Sequence, residues 1–374
     1  MHDTNARLDA CTRYACLVLS LMLALPLQAQ SGRGSPPDFR LQEVVPGVFA
    51  TLEPREWALS PMVHGNSVFV VNERDVLAVD ANRTPAAARR TLDLLRGVTS
   101  NPIRWLLVTH WHGDHWLGVQ AFREAFPALQ VIATDTARQA MFPMLIEPFR
   151  IRQPAWYSTT ADRYDSLFNA GVDVAGRPLT PARRKTSDMV RNAFRHYYAA
   201  EAQGMRLAAP DLTFRDSIRL HSGKRIIDLL FVGNGDTPGD AVAWLPAERV
   251  LAAGDMLVHP VPYAGSQVPS QWAKSLRSLR ALDPLHIVPG HGEVQRGTAY
   301  LDLVIATIEA TVAQVRRLQA EGASLEEVTK TVTMEAFRGR MVPANDAAVA
   351  DRWDDFLGAL IPNAYAEAAS RTGS

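Results

Sequence analysis

Short apolar blocks separated by turn formers run along most of this chain, each about the length of a buried strand. Residues 44–52, broken by a turn at Pro46-Gly47, begin the pattern. Residues 68–71 and 76–79 then predict two strands around a polar turn at 72–75. A helix over 85–96 leads to the next apolar block, 105–108, and completes one βαβ unit. A helix over 117–126 and a strand over 130–133 follow. Strand blocks resume at 218–220, 226–232, 241–245 and 250–253, and a helix over 270–282 precedes a last strand at 286–288. Strands interleaved with helices in this way predict an α/β fold.

Two stretches depart from the pattern. Residues 136–216 carry helical stretches without clear strand blocks. Within them 141–149 is apolar, and 187–202 predicts a helix bearing Phe194, Tyr197 and Tyr198. We read 136–216 as a helical insertion near the mouth of a site, with a lid, a dimer contact and ordinary packing as its open roles. An amphipathic helix over 298–319 is followed by a helical, alanine-rich extension, 321–374, where Trp353, Phe356 and Leu357 share one face.

The N-terminal end reads differently. Arg7 and Arg13 flank an apolar run over 14–25, too short to span a bilayer, and Leu27-Gln28-Ala29 offers a cleavage site. Residues 1–29 therefore predict a signal peptide and a secreted or periplasmic protein whose mature chain starts at Gln30 or Ser31. Residues 30–42 read as a flexible lead-in and 43–320 as the main domain. Both cysteines, Cys11 and Cys16, fall inside the leader, so the mature chain has no disulfide and no thiolate ligand. A formal net charge of zero leaves no electrostatic footprint for nucleic acid or an acidic membrane. The expected partner is a small molecule, no membrane span is expected in the mature chain, and a homo-oligomer stays open.

Candidate chemistry gathers where the strand blocks end. The block 105–108 runs into Thr109-His110-Trp111-His112-Gly113-Asp114-His115, four side chains able to bind metal within six positions. Imidazole suits zinc and its neighbours, and a carboxylate adds charge and a harder oxygen. Downstream come Gly233-Asn234-Gly235-Asp236-Thr237-Pro238-Gly239-Asp240, then Gly254-Asp255, then Pro289-Gly290-His291-Gly292. His-x-His-x-Asp-His after a hydrophobic strand, with these later segments, resembles the metallo-β-lactamase superfamily.

That resemblance implies an αββα sandwich with two metal ions at one edge of the packed sheets, plus the helical insertion and C-terminal extension. It places His110, His112 and Asp236 on a first metal, Asp114, His115 and His291 on a second, and Asp255 between them. Asp236 stands where the family motif has histidine. By its residues alone it could equally be a turn former, and as a ligand it would favour iron or manganese more than three imidazoles would. The expected cofactors are two divalent ions, zinc first, with iron or manganese as alternatives. Asp80 and Thr237 would brace the ligands, although Asp80 could instead cap the helix that starts near Thr84. Trp111, Trp116, Trp272, His259 and Tyr263 are candidate pocket walls or core residues, and His196 reads as structural.

Two such metals lower the pKa of a shared water, and Asp114 would orient the nucleophile and relay a proton. The implied function is an exported hydrolase of a lactone, ester or thioester. Aspartate at 255 resembles the glyoxalase-II and lactonase branches, whereas branches acting on β-lactams generally carry cysteine or serine there. A β-lactam hydrolase is one alternative, a mono-iron oxidoreductase like the persulfide dioxygenases another, and a metal-degenerate binding protein a third.

Overall fold

The computed structural model describes residues 37–59, 64–146, 154–202, 204–265 and 267–372. The expected signal peptide, most of the expected lead-in and part of the apolar stretch 141–149 lie outside the described residues. Seven strands form one sheet in chain order: β1 (Arg40–Val45), β2 (Val48–Leu52), β3 (Ser67–Val71), β4 (Val76–Val79), β5 (Ile103–Leu107), β6 (Gln130–Thr134) and β7 (Leu212–Phe214). The other sheet has β8 (Ser217–Ser222), β9 (Arg225–Phe231), β10 (Ala241–Leu245), β11 (Val250–Gly254), β12 (His286–Pro289) and β13 (Gln295–Arg296), ordered from β8 at one edge to β13 at the other.

The side-chain period of two explains the layering. Val68, Val70, Leu77 and Val79 point into the space between the sheets, where they meet Ala241, Ala243, Leu245, Val250 and Ala252. The alternate residues Phe69, Val76 and Ala78 face outward onto the helices Pro85–Arg96 and Val119–Ala125. In the second sheet Val242, Trp244, Leu251 and Ala253 face outward onto the helices Pro269–Ala281, Ala299–Ala320 and Ala347–Thr372. Strands buried on both faces need unbroken apolar runs, which is why the blocks are visible in the sequence. The result is the αββα sandwich, with a helical insertion and a helical C-terminal region.

Two edges differ from the sequence reading. Arg40–Gln42, read as lead-in, belongs to β1 and pairs with Ala50–Leu52. Its side chains are exposed or half-buried, so no apolar block marks it. Similarly β7, inside the stretch read as helical, pairs in parallel with β6 but buries only Phe214 of its three residues. The described residues of that stretch include the helices Asp135–Ile146, Pro154–Ala170 and Pro181–Asn192, then a π-helical turn Ala193–Tyr198 and Ala199–Ala202. Tyr157, Phe194, Tyr197 and Tyr198 form its aromatic core. His196 is exposed on the π-helical turn, outside that core. No helix among the described residues is long and apolar enough to cross a membrane.

Candidate metal centre

Each chemically active side chain follows the end of a strand at one rim of the sandwich. Glu53 follows β2, Asp80 follows β4, and Thr109-His110 follow β5. The helical turn Gly113–Trp116 presents Asp114 and His115. From the second sheet, Asp255 follows β11 and His291 follows β12. Asp236 sits in the loop between β9 and β10. Close backbone approach draws the two strand ends of the second sheet together. A Cβ at Gly290 would lie 1.9 Å from Asp255 Oδ1, so only glycine leaves room for that carboxylate.

The seven predicted ligands converge as two groups. His110, His112, Asp236 and Asp255 form one, and Asp114, His115 and His291 the other, with candidate ligand atoms inside each group within 4.8 Å of one another. His112 Nδ1 lies 2.8 Å and His110 Nε2 3.5 Å from Asp236 Oδ2. Asp114 Oδ2 lies 3.5 Å from His115 Nε2 and 3.3 Å from His291 Nε2. Asp255 divides its oxygens between the groups. Oδ1 is 3.4 Å from His115 Nε2 and 3.3 Å from His291 Nε2, while Oδ2 is 3.9 Å from His110 Nε2.

These atoms fit cations. His110, His115 and His291 Nε2, Asp236 Oδ2 and Asp255 Oδ1 are buried and have no hydrogen-bond partner among the described residues. Buried polar atoms are rarely left in that condition without a ligand or ion to satisfy them. The set combines imidazoles with carboxylates, which suits divalent ions of the zinc, iron and manganese kind.

Two imidazoles are held from behind by carboxylates. Asp80 Oδ2 is 2.7 Å from His115 Nδ1, and Glu53 Oε1 is 2.6 Å from His291 Nδ1. Asp80 also accepts from the Thr109 backbone N–H at 2.8 Å and hydroxyl at 2.9 Å. It thus contacts His115 and Thr109 directly. The competing role belongs to another residue, because Thr84 caps the helix Pro85–Arg96 by accepting from Ala87 N–H. Asp80 adopts φ +61°, in the left-handed region that few residues other than glycine visit.

The protein's own charges polarise the site. Burial disfavours a charged His115, but Asp255, Asp80 and Asp114 outweigh it and raise its pKa well above the usual range. Burial is likewise overcome at His291, by Asp255 and Glu53. His110 goes the other way, its pKa lowered by burial and then by His115. Asp114 stays ionised: burial favours its neutral form, but Arg83, His115 and His291 prevail. Burial, followed by the charge of Asp255, raises the Asp236 pKa against the pull of His112.

Asp236 is 5% exposed and aims into the site instead of closing its own turn. Asp240 performs that turn function, accepting from Thr237 N–H at 3.0 Å and from its hydroxyl at 2.6 Å. Burial, then the nearby Asp236 charge, pushes the Asp240 carboxyl up to about 8. Thr237, expected to brace the ligands, is instead spent on that turn. The brace on Asp236 is Gln267, whose Nε2 donates to Oδ1 at 2.5 Å. No sequence pattern marks Gln267. Glu53 and Arg83, 3.4 Å from Asp114, were also missed, since each acts on a residue remote in the chain.

The predicted pocket walls divide. Trp116 and Trp272 are each 1% exposed and belong to the core, the first at the end of the turn Gly113–Trp116 and the second on the buried face of the helix Pro269–Ala281. Their indole N–H groups donate to Trp111 C=O at 2.8 Å and Met256 C=O at 3.1 Å, which satisfies them inside. Trp116 is therefore corrected from pocket wall to packing residue. Trp111 remains half-buried against the His112 ring, with centroids 4.6 Å apart. His259 and Tyr263 are half-buried on the loop after Asp255, and His259 N–H donates to His291 C=O at 3.1 Å. His196 belongs to neither ligand group.

A linear primary-alkylsulfatase from Pseudomonas sp. (strain ATCC 19151) is 23% identical over 278 residues, which cover 69% of this chain and 48% of that protein. In structure, the stereoselective inverting sec-alkylsulfatase Pisa1 from Pseudomonas sp. superposes with a TM-score of 0.58 at 16% identity, over 87% of this chain and 50% of that one. The chain thus spans about half the length of either relative. The sequence profile of the Metallo-beta-lactamase superfamily matches residues 61–291, a stretch that contains all seven converging side chains and ends on the last of them. On that match, and on the sandwich that carries it, the chain belongs to the metallo-β-lactamase superfamily.

Proposed function

We propose that this metallo-hydrolase cleaves an ester-type bond at a two-metal centre, with sulfate esters ahead of carboxylic esters, lactones and thioesters. The observation that carries the two-metal reading is the divided carboxylate of Asp255, one oxygen toward each ligand group. His110, His112 and Asp236 would hold one ion, and Asp114, His115 and His291 the other. Bound there, the ions supply Lewis acidity and a water acidic enough to act near neutral pH. Sulfate esters move to the front because the curated relative is an alkylsulfatase. An aspartate at 255 still ranks β-lactams last.

The chain's own groups do the positioning. Asp80 and Glu53 fix the tautomer and direction of His115 and His291, leaving each Nε2 aimed at the second position. Gln267 holds one oxygen of Asp236 and leaves the other for the first. Asp114, kept ionised beside Arg83, is suited to accept a proton and orient a nucleophile. Export belongs to the same reading, supported by the order of basic residues, apolar run and cleavage site at the N-terminus.

Metal analysis of the purified protein, paired with assays on an alkyl sulfate, a lactone, a thioester and a cephalosporin, tests the proposal. Two metals per chain and release of sulfate are expected. One iron per chain without hydrolysis would move the protein to the oxidoreductase reading, and no metal at all to a binding role. N-terminal sequencing that finds Met1 retained on a cytoplasmic protein would end the export reading.

A further inference from the structure

Between the helical insertion and the C-terminal helix Ala347–Thr372 lies a cavity of about 290 Å³. Leu59, Tyr164, Leu167, Val190, Pro262 and Phe356 give it an apolar wall. Its charged lining is balanced, with Arg177, Arg183 and Arg352 set against Asp173, Asp351 and Asp355. Arg183 bonds Asp173 at 2.5 Å and Asp351 at 3.0 Å, and Arg177 pairs with Asp173 and Asp355. The Arg352 guanidinium lies over the Tyr263 ring, 3.9 Å from its centroid. With three arginines set against three aspartates the lining has no net charge and offers an anionic head group little, whereas the apolar wall suits an uncharged chain. The volume is at the lower limit of ligand pockets, roughly 300 Å³, which suits one part of a substrate better than a whole one.

Two chains of residue contacts run from the wall of this cavity to the metal centre. Pro262, Tyr263 and Ala264 line it and continue the loop that leaves Asp255. Gln267 Nε2 reaches both the Tyr263 C=O, at 3.2 Å, and Asp236 Oδ1, at 2.5 Å. From the other side, Tyr164 and Val190 pack in the aromatic core of the insertion. Tyr198 of that core brings its hydroxyl to 3.4 Å from His64 Nε2, and the backbone N–H of His64 donates to Glu53 Oε2, whose other oxygen contacts His291.

We propose that this cavity binds the uncharged aliphatic tail of the substrate whose ester group is cleaved at the metal centre. The insertion and the C-terminal helix then set chain-length preference, while the sandwich supplies the chemistry. The assignment rests on the ester-hydrolase reading, so its test includes a binding arm that needs no hydrolysis.

Primary alcohols from butanol to decanol are titrated calorimetrically into the purified protein. Two variants that fill the cavity, Ala182→Phe and Ser187→Phe, are titrated alongside, each checked for fold by circular dichroism and for metal content. Affinity in the parent should rise about fourfold per methylene until the cavity is full, as burial of a CH₂ predicts. Either filling variant should weaken decanol binding at least tenfold and shrink the ratio of butyl to decyl ester KM by a similar factor. Affinity that does not depend on chain length in the parent overturns the proposal. So does a dependence that survives intact in both folded variants. Graded alcohol binding without graded KM for any hydrolysed ester removes the tail assignment. Graded binding with no ester hydrolysed at all shows that the ester reading has failed instead.

Discussion

The two halves of the metal centre are built to different standards. His115 and His291 are each held from behind by a carboxylate and are almost fully enclosed. The half around His110, His112 and Asp236 relies on neutral partners. Thr109 Oγ1 stands 3.1 Å from His110 Nδ1, Gln267 bonds Asp236, and the His112 side chain is 39% exposed. A carboxylate behind an imidazole raises its basicity and fixes its orientation, whereas a hydroxyl or amide only orients. The lesson is a division of labour, in which a second ion would be held tightly and a first ion would be easier to exchange and nearer to solvent.

Removing the shared element should have the largest effect. Asp255→Ala is expected to cost both metals and take hydrolysis to background, measured by metal analysis and turnover. His291→Ala should empty the second position. Retention of two metals in either variant would break the comparison, because Asp255 faces both halves and His291 belongs to the second. Next in size is Asp236→Ala, expected to lower affinity at the first position while the second ion stays bound. Asp236→His should restore that position and shift its preference toward zinc, since the ligand set becomes softer. If Asp236→Asn keeps full first-site affinity, its carboxylate is not a ligand.

Smaller effects sharpen the asymmetry. Glu53→Gln should weaken the second ion by about 10- to 100-fold, the usual range for groups behind a metal ligand. Gln267→Ala should weaken only the first ion, by about tenfold at most, because a neutral brace contributes less. A larger loss from Gln267→Ala than from Glu53→Gln would reverse the ranking of the halves. Proton competition follows the same line. His115 and His291 have raised pKa values, so in chelated protein their ion pairs stabilise the fold below the unfolded histidine pKa, about 6.5. That stability is lost as pH rises through the folded values. Metal binding displaces those protons, so second-site affinity should increase with pH over that window, as titration calorimetry in two buffers can show. His196→Ala, on an exposed turn, should leave metal content and activity unchanged.

Much of this centre was legible because its ligands cluster locally or sit in short glycine-flanked segments. His110 through His115 occupy one turn of chain, and Asp255 and His291 each follow a strand with glycine beside them. The braces were harder to see. Glu53 is 238 residues from His291 in sequence, and nothing about an isolated glutamate after a strand marks the pairing. Gln267 was invisible for the same reason. Trp116 misled because an aromatic beside a ligand reads equally well as wall or core, and only burial separates the two. In the fold, strands covered on both faces announced themselves as apolar blocks, while the half-exposed edge strands β1 and β7 did not.

The ligands are also divided between the sheets. His110, His112, Asp114 and His115 hang from the first, and Asp236, Asp255 and His291 from the second. Any ion held by both sets is a rivet through the sandwich. Asn66 already stitches the same seam, donating its backbone N–H to Gly290 C=O and its side-chain amide to Pro289 and Gly292 C=O. Catalysis and mechanical cohesion would then share one fastening. Chelation should loosen the two sheets against each other as well as silence the chemistry, and mutations that open the interface should appear first as metal loss.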